Sequence, residues 1–342
     1  KVKIKSVEFV GATAFPQKTL RKQIKTRNRW FFSWLTGSGI YKADQFEEDR
    51  EKLAAFYKDQ GYIDFEIKDV RLERPTPKTM IVKIFVSEGV QYKVGAITFR
   101  GTKLLPTNAV SPAFVPPPMP KAGPDRAEAA LESQLNKNFR LKEGETFTPG
   151  GLRKNTEAIE DYYGSKGHID VNGENLRVIK IPNTEKGTID LEYTINEGYK
   201  SYIEKIEIKG NTKTKDRVIR RELAVAPGEV FDMVRVKVSR SRLEGLQYFD
   251  KVDARPEPTD IRDRKNLVIG VEEKNTGNLS LGAGFSSVDS IVGYVEFTQG
   301  NFDVANPPLF TGAGQKFRQR VQIGTQRKDI QTSFVEPWFL GR

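Results

Sequence analysis

Residues that commonly carry out chemistry are sparse in this sequence of 342 residues. Cysteine is absent, so the chain offers no disulfide, no thiolate nucleophile and no thiolate metal ligand. His168 is the only histidine, which excludes a multi-histidine metal site and weighs against a serine–histidine relay. Because His168 follows Gly167 at a place where an earlier copy of the same pattern has Tyr62, we expect it to have a structural role.

The remaining polar clusters do not form a catalytic pattern. The carboxylates Glu157, Glu160 and Asp161 lie on the surface of a predicted helix and have no partner suited to acid–base catalysis. The glycine cluster at 312–314 precedes a strand pattern rather than a helix, so it does not predict a phosphate-binding loop. We therefore predict that the protein is not an enzyme and has no catalytic residue, cofactor or metal ion.

The chain is basic, with a formal net charge of +11, which favours polyanions or anionic membrane surfaces as neighbours. Segment 209–222, "KGNTKTKDRVIRRE", is dense in lysine and arginine. Acidic residues are interleaved with these cations, however, and no nucleic-acid-binding module accompanies them. We predict no nucleic-acid partner. No signal-peptide pattern is present, so Lys1 is expected to be an internal or processed start.

Short repeated motifs organise the chain. The segments "SVEFVG", "AITFRG" and "KIEIKG" end at Gly11, Gly101 and Gly210, and each alternates apolar and polar residues before its glycine. This period of two predicts a strand with one buried face, and the glycine predicts a turn with positive φ. A second motif, "VSEG" or "INEG", ends at Gly89 and Gly198, in each case 12 residues before the next of these glycines. The sequence therefore contains three tandem copies of one unit.

Each copy is predicted to contain two helices after its first strand, which makes the unit β-α-α-β-β. Gly61 and Gly167 stand where the ends of helices adopt left-handed geometry, but the third copy has no glycine there. In the third copy's "VEEK" motif, Lys274 replaces the glycine that opened each new copy. In the middle copy, a proline-rich insertion at 104–124 predicts an extended loop, followed by a helix around Leu131.

The repeats resemble POTRA domains, and nearly the whole chain resembles the BamA family of outer-membrane β-barrel assembly proteins. The most specific part is 210–285, which includes "GNTKTKDRVIRRELAVAPGEVFD" and "EEKNTGNLSLGAGF". The first copy, with "RWFFSWLTGSG" and "YKADQFEEDREKLAAFYKDQGYIDFEI", is similar to the third POTRA domain of that family. The segments "QGNF", "GAG" and "EPWF" are similar to the family's early barrel strands.

The resemblance implies an α+β chain of three tandem POTRA domains followed by an incomplete antiparallel transmembrane β-barrel segment. The expected domains are third-like at 1–89, fourth-like with the insertion at 90–198, and fifth-like at 199–274. About the first four barrel strands would occupy 275–342, since a closed membrane barrel needs more strands than these. The POTRA domains would lie in the periplasm, beneath the outer membrane of a Gram-negative cell.

Alternation beyond the third copy suits membrane hairpins. In 291–298 the odd positions are apolar or small, whereas Tyr294, Glu296 and Thr298 are amphipathic or polar. In 315–324 one face has Phe317, Val321 and Ile323, and the other has Lys316, Arg318, Arg320 and Gln322. A lipid-facing side opposite a polar lumen explains this pattern. A sheet of a soluble protein with one wet face explains the pattern equally well. The resemblance favours the barrel.

The resemblance also implies a docking edge for clients. In the family's strand order the second strand lies at a sheet edge, where an extended peptide can add by β-augmentation. In the first copy this edge is expected at Gly61, Tyr62, Ile63, Asp64, Phe65, Glu66 and Ile67. The corresponding segment of the second copy is 167–172.

Two further sites follow from the resemblance. An accessory lipoprotein, BamD-like or possibly BamB-like, is expected to dock at Arg220, Arg221 and Glu222. The first barrel strand is expected to form an openable seam that templates the strands of clients. Its residues are Asn278, Leu279, Ser280, Leu281, Gly282, Ala283, Gly284 and Phe285.

The expected function is therefore assembly of outer-membrane proteins, with accessory lipoproteins, unfolded clients and outer-membrane lipids as partners. Two alternatives stay open: a TamA-like or secretion-type POTRA transporter, and a soluble periplasmic scaffold with an all-β C-terminal domain. The aromatic residues Trp30, Phe31, Phe32 and Trp34 either contact a partner or membrane surface or, as we favour, pack onto their own domain.

Overall fold

The computed structural model describes residues 3–26, 43–101, 138–286, 290–325 and 327–339. The chain forms two compact units, one of residues 1–160 and 172–197 and the other of residues 161–171 and 198–342. The aromatic cluster at 30–34, the proline-rich insertion and the helix predicted around Leu131 lie outside the described residues.

None of the helices in the described ranges is both long and apolar enough to cross a membrane. The same ranges contain no group of three or more histidine, aspartate or glutamate side chains placed to hold a metal ion.

The first unit contains two three-stranded sheets of the same topology. The elements of the first are β1 (Lys3–Val10), α1 (Gln17–Gln23), α2 (Ala43–Asp59), β2 (Glu66–Thr76) and β3 (Thr79–Ser87). The third strand is central, with β1 parallel to it on one side and β2 antiparallel on the other. Apolar side chains from strands and helices, among them Val7, Leu20 and Tyr57, form one buried core. The predicted period-two strands therefore have one face covered by helices.

The second sheet repeats this arrangement. Its elements are β4 (Lys93–Arg100), α3 (Pro149–Ser165), a short 3₁₀ helix (Gly173–Asn175), β5 (Leu176–Asn183) and β6 (Thr188–Ile195). The strand order β4-β6-β5 again places the last strand in the centre. The Thr148 hydroxyl accepts a hydrogen bond from the Gly151 amide at 3.0 Å, and Pro149 fits the first turn because no N–H is needed there.

The second unit contains the third three-stranded sheet. Its elements are β7 (Tyr202–Lys209), α4 (Asp216–Arg220), α5 (Met233–Gly245), β8 (Phe249–Pro258) and β9 (Arg264–Glu273), in the sheet order β7-β9-β8. The Asp232 side chain accepts hydrogen bonds from the amides of Val234 and Arg235 and thereby begins α5. The predicted β-α-α-β-β unit is confirmed, and its third copy is complete in the described residues.

A four-stranded antiparallel sheet follows in the same unit. Its strands are β10 (Gly277–Ser286), β11 (Ser290–Phe302), β12 (Gln315–Gly324) and β13 (Lys328–Val335), and they pair in sequence order. No α-helix of the described residues follows β9, so strands and the loops between them dominate this segment. The predicted antiparallel sheet after the repeats is confirmed.

The bounds predicted for the second strands were wrong. Of the seven residues expected in the first copy, only Glu66 and Ile67 lie in β2, and 167–172 precedes β5 entirely. The residues from Gly61 to Phe65 instead fold back on the helix end: the Tyr62 amide donates to the Tyr57 carbonyl at 3.0 Å. The Phe65 ring stacks on the Tyr57 ring with centroids 4.0 Å apart. The local alternation of apolar residues in this segment therefore serves helix closure rather than strand pairing.

Candidate docking edges and the junction with the antiparallel sheet

The repeated glycines after the first strands have the predicted geometry. Gly11, Gly101 and Gly210 have φ of 91°, 82° and 92°. A Cβ atom on Gly11 would lie 2.5 Å from the Val86 carbonyl oxygen of the central strand, and the other two glycines approach their central strands more closely still. Glycine is required at these positions both because φ is positive and because no side chain fits.

The glutamate of the "VSEG" motif holds the chain that follows the first glycine. Glu88 accepts hydrogen bonds from the Thr13 amide at 2.9 Å, the Thr13 hydroxyl at 2.7 Å and the Ala14 amide at 3.0 Å. It also accepts one from the Tyr57 hydroxyl at 2.7 Å. Burial acts to raise the pKa of Glu88, but these hydrogen bonds outweigh it and lower the pKa below its ordinary value.

The second glutamate of the "VEEK" motif, Glu273, holds the loop after the first strand in the third repeat. Glu273 accepts hydrogen bonds from the Thr212 hydroxyl and the Lys213 amide, both at 2.8 Å, and from the Thr214 amide at 2.6 Å. Burial again acts to raise the pKa of Glu273, and the hydrogen bonds from residues 212–214 produce a net lowering. The motif is therefore a structural clamp between the end of the central strand and the first loop.

The second strand lies at a sheet edge in all three repeats. Among the described strands, β2 pairs only with β3, and β5 pairs only with β6. Their outer edges thus present backbone N–H and C=O groups that no described strand engages. Beside the start of β2 an open groove of about 410 Å³ is lined by Arg50 and Ala54 of α2 and by Phe65, Glu66 and Ile67.

The antiparallel sheet has one apolar and one polar face. Across the four strands, Leu281, Val295, Val321 and Ile330 are direct partners and form one apolar row. Leu281 is 71% exposed and Phe285 is 89% exposed, so no described element covers this face. The predicted alternation of 291–298 and 315–324 is confirmed by this register.

Charged and aromatic groups line the opposite face. Arg318 lies 2.7 Å from Glu296, and Arg320 lies 3.5 Å from the same carboxylate. The Arg320 guanidinium stacks over the Tyr294 ring at 4.3 Å. Gly282 lies opposite Tyr294 in the register, and a Cβ atom there would collide with the tyrosine ring. These contacts make the face opposite the apolar row a polar one, on which the charged groups pair with one another.

The predicted seam residues all lie in β10. Of the described strands, only β11 pairs with β10, so the outer edge of β10 is free of a described partner. The position of the expected seam strand at a sheet edge thus follows from the topology, while its use as a seam stays a prediction.

A network of hydrogen bonds joins the third repeat to the antiparallel sheet. The Asn301 side chain donates to the Thr214 hydroxyl and accepts from the Gly314 amide, both at 2.8 Å. The Lys215 amide donates to the Gly312 carbonyl at 2.9 Å. These contacts fix the loop between β11 and β12 against the start of α4.

An ion pair and a tyrosine complete this junction. The Lys215 ammonium lies 2.5 Å from the carboxylate of Asp303, which is buried. The Tyr248 hydroxyl donates to the Gly314 carbonyl at 3.2 Å. Sequence reasoning missed Asn301, Asp303 and Tyr248, because their partners lie tens of residues away and no local spacing marks them.

The three predicted lipoprotein-docking residues do not share one environment. Arg220 is exposed and pairs with Asp216 at 2.7 Å. Arg221 faces the junction, with its guanidinium 5.2 Å from the centre of the Trp338 ring. Glu222 is half-buried, and its carboxylate lies 3.8 Å from Arg221. Of the three side chains, that of Arg220 is the most exposed.

Comparison with known families accounts for most of the chain. The family model described as "POTRA: Surface antigen variable number repeat" matches residues 2–89, 127–198 and 201–274. The chain is 29% identical over 339 residues to the outer membrane protein assembly factor BamA of Neisseria meningitidis serogroup B, covering 98% of this chain and 38% of the relative. It is 26% identical to a putative outer membrane protein assembly factor of Treponema pallidum, covering 99% of this chain and 37% of the relative.

Solved structures show the same fold. The crystal structure of BamA from Haemophilus ducreyi lacking POTRA domains 1–3 superposes with a TM-score of 0.54 at 21% identity, covering 73% of this chain and 40% of that one. The crystal structure of POTRA3-5 of Haemophilus influenzae BamA has a TM-score of 0.54 at 20% identity, covering 80% of this chain and 96% of that one. The chain thus spans less than two fifths of the length of the two curated relatives described above.

Proposed function

Because the chain belongs to the POTRA family, we propose that it is the part of an outer-membrane protein assembly factor that links three periplasmic POTRA domains to the first strands of a membrane barrel. The proposed domains are 1–89, 90–198, 199–274 and 275–342. The observation that carries the proposal is the order of the sheets: three helix-covered sheets are followed by one sheet whose apolar face is bare. We propose no enzymatic activity.

The bare face is proposed to contact lipid. The chain has no native cysteine, so a single introduced cysteine can carry an environment-sensitive dye. With the dye at Leu281→Cys, we expect a blue shift of the emission when lipid vesicles replace a polar, non-detergent solubiliser, because this side chain lies on the apolar face. With the dye at the adjacent Ser280→Cys, on the polar face, we expect little shift. Equal shifts at both positions would contradict the membrane assignment.

The outer edge of β10 is proposed to template the strands of unfolded clients. Its glycines lower the number of side chains that lock the strand to a neighbour, which suits a pairing that opens and closes. A photo-crosslinker at Ala283 should capture a folding client in an active complex. The same crosslinker at Gln319, in a central strand, is the matched control. Capture at both positions, or at neither, would count against a seam at β10.

Clients are proposed to reach this seam by way of the repeat edges. Edge pairing uses backbone groups, so it accepts many different sequences, as a factor with many clients requires. The sites are the strands themselves, β2 and β5, rather than the turns that precede them. The groove beside β2 offers room for the side chains of an added strand.

An accessory lipoprotein is proposed to dock near the end of α4, through the exposed Arg220 and the half-buried Glu222. Arg221 is proposed to have a different role, since it packs against Trp338. Arg220→Glu should weaken lipoprotein binding at least tenfold in a pull-down titration, as expected when a like charge replaces one partner of an ion pair across an interface. Arg217→Glu, one turn away, is the control; unchanged binding by Arg220→Glu would remove Arg220 from this site.

A further inference from the structure

The loop between β11 and β12 has an apolar tip, residues 304–310, that is open to solvent. Residues 304–315 carry no charge, although 30% of the residues of the chain are charged. Val304 is 58% exposed, Leu309 is 70% exposed and Phe310 is 40% exposed. Apolar side chains that cluster on an exposed surface mark a place that another molecule or a membrane covers.

Hydrogen bonds within the loop hold the tip in one shape. The Asp303 amide donates to the Phe310 carbonyl at 3.0 Å, and the Phe310 amide donates to the Asn306 carbonyl at 2.7 Å. The Asn306 side chain donates to the Thr311 carbonyl at 3.0 Å. The two prolines at 307–308 restrict the backbone between these hydrogen bonds. The tip therefore loses little conformational entropy when it binds.

Stacked aromatic rings connect the tip to the apolar face of the antiparallel sheet. The Phe310 ring stacks on the Phe302 ring with centroids 5.8 Å apart, and the Phe302 ring stacks on the Phe317 ring at 5.0 Å. Phe317 is the direct partner of Phe334, and both lie on the same face as Val321 of the apolar row. The tip thus continues, beyond the ends of the strands, the face for which lipid contact is proposed.

Cations of the third repeat stand beside the base of this loop. The Lys215 side chain and amide bind the two ends of the tip, at Asp303 and at the Gly312 carbonyl. On the same short segment, Lys213 and Arg217 are exposed and form no ion pair with any described residue. A membrane surface offers phosphate groups above apolar acyl chains, so it matches an apolar tip that has cations beside it.

We propose that the tip sits in the phospholipid headgroup layer at the membrane surface nearest the third repeat, and that Lys213 and Arg217 contact lipid phosphates. The inference rests on the proposed lipid contact of the bare sheet face and adds an anchor outside the strands. Because the base of the loop is bound to the start of α4, this anchor holds the third repeat as well as the sheet at the membrane surface.

Depth-dependent fluorescence quenching tests the position of the tip. The full chain carries an environment-sensitive dye on one introduced cysteine: Ala305→Cys in the tip, Leu281→Cys in the sheet, or Ile261→Cys. Ile261 is the matched control, because it is 54% exposed but lies between β8 and β9 of the third repeat. Vesicles of phosphatidylcholine and phosphatidylglycerol carry a quencher either at the headgroup or deep in the acyl chain. We expect the headgroup quencher to act on Ala305→Cys, the deep quencher on Leu281→Cys, and neither on Ile261→Cys.

The three positions separate failure of this inference from failure of the proposed function. Quenching at Leu281→Cys without quenching at Ala305→Cys would overturn the anchor and leave the sheet in the membrane. Quenching at neither position would overturn both. Equal action of the deep quencher at both positions would overturn the headgroup position of the tip. A blue shift at Ala305→Cys that grows with protein concentration without lipid would identify a second copy as the occupant and also overturn the inference.

Substitution of the tip tests which side chains anchor it. Leu309→Asn and Phe310→Asn together remove two apolar side chains, and asparagine tolerates the φ of 48° at position 310. The fraction of the Ala305→Cys dye that the headgroup quencher reaches gives the ratio of docked to undocked tip. We expect this ratio to fall about tenfold, because two apolar side chains no longer leave water. Ile261→Asn should leave it unchanged, and an unchanged ratio in the double variant would overturn the inference.

Neutralisation of charge tests the phosphate contact. Lys213→Gln and Arg217→Gln together should lower the docked ratio roughly tenfold in vesicles with phosphatidylglycerol, because both cations lose their attraction to anionic lipid. Lys18→Gln and Lys22→Gln, on the exposed side of α1, remove the same net charge from the first repeat and should leave the ratio unchanged. Equal losses in the two variants would overturn the contact of these two cations with lipid phosphates.

Discussion

Two helix ends of this protein close on glycine, and a third closes on glutamine in the same conformation. Gly61, Gly167 and Gln247 follow equivalent helices and have φ of 90°, 93° and 61°. The first two carbonyls accept hydrogen bonds from the Tyr92 amide at 2.9 Å and the Ser201 amide at 2.8 Å. The helix end thus has the same geometry in all three repeats, but only two of them require glycine.

Close packing by the following segment explains the difference. A Cβ atom on Gly61 would lie 2.7 Å from a methyl group of Thr146, and one on Gly167 would lie 2.7 Å from a methyl group of Val230. Gln247, in contrast, borders an open cavity of about 490 Å³ beside Lys316 and Phe317 of the antiparallel sheet. Left-handed geometry alone makes glycine favourable, whereas close contact with another segment of the same chain makes glycine obligatory.

Gly167→Ala is expected to have the largest effect. Left-handed strain and overpacking against Val230 should together lower the free energy of unfolding of this region by about 2–4 kcal/mol. Gly228→Ala is the matched control, since Gly228 has φ of 85° but nothing within 4 Å of its Cβ position. Hydrogen exchange of 198–231 measures both variants. Equal losses would mean that backbone strain alone sets the requirement for glycine.

Glu273→Gln should have the next largest effect and make stability less dependent on pH. The third repeat keeps the hydrogen bonds to Glu273, although Lys274 replaces the glycine that follows this glutamate in the other repeats. Loss of these hydrogen bonds should lower the free energy of unfolding by about 1–3 kcal/mol near neutral pH. The folded-state pKa of Glu273 lies below the unfolded value of about 4.3. Its contribution is therefore complete above that value and is lost as the pH falls through the folded pKa.

The pH dependence has an internal control in the neighbouring residue. Glu272 is exposed and lies 3.6 Å from Lys251, so Glu272→Gln should change stability little at any pH. Denaturant unfolding between about pH 3 and pH 7 compares the two variants, since this interval contains the ionisation of ordinary glutamates. If the loss of stability at acid pH were the same in Glu273→Gln as in the natural chain, Glu273 would not be its cause.

Arg221→Ala should weaken the last junction by about 1 kcal/mol, because it removes the cation–π contact with Trp338. The measurable result is faster hydrogen exchange at 312–315 and a change in the Trp338 fluorescence. Arg220→Ala, which breaks an exposed ion pair with Asp216 and a 3.4 Å hydrogen bond to the Ile206 carbonyl but no contact with Trp338, should leave both signals unchanged. Equal behaviour of the two variants would show that Arg221 does not hold the sheet.

Gln247→Gly is expected to have the smallest effect, and of opposite sign. The free energy gained by relieving left-handed strain in the folded state should exceed the entropic cost of a more flexible unfolded chain by about 0.5 kcal/mol. The variant should therefore unfold at slightly higher denaturant concentration than the natural chain. A loss of stability would mean that the hydrogen bond from the Lys274 ammonium to the Gln247 side chain, at 3.1 Å, outweighs the strain.

Prediction from the sequence succeeded where the cause is local. Three features depend on residues that are neighbours in the sequence: the strand before Gly11, the helix end at Gly167 and the alternating faces of 291–298. The spacing of those residues therefore predicts these features. The second strands were misplaced because the alternation after Gly61 also suits a segment that folds back onto a helix. The resemblance placed Arg221 and Arg220 at one docking site, whereas these adjacent residues face different surroundings in space.

The amino-acid order alone determined the number of repeats and the glycines with positive φ, since each is a local pattern copied along the chain. It also marked the motif that contains Glu88 and Glu273, but the partners of these glutamates were found only in the tertiary structure. Tertiary structure decided which strand edges no described strand engages and that Arg221 meets Trp338. These properties depend on register and on contacts between distant segments. Pairing across a sheet aligns residues that no spacing along the chain can relate.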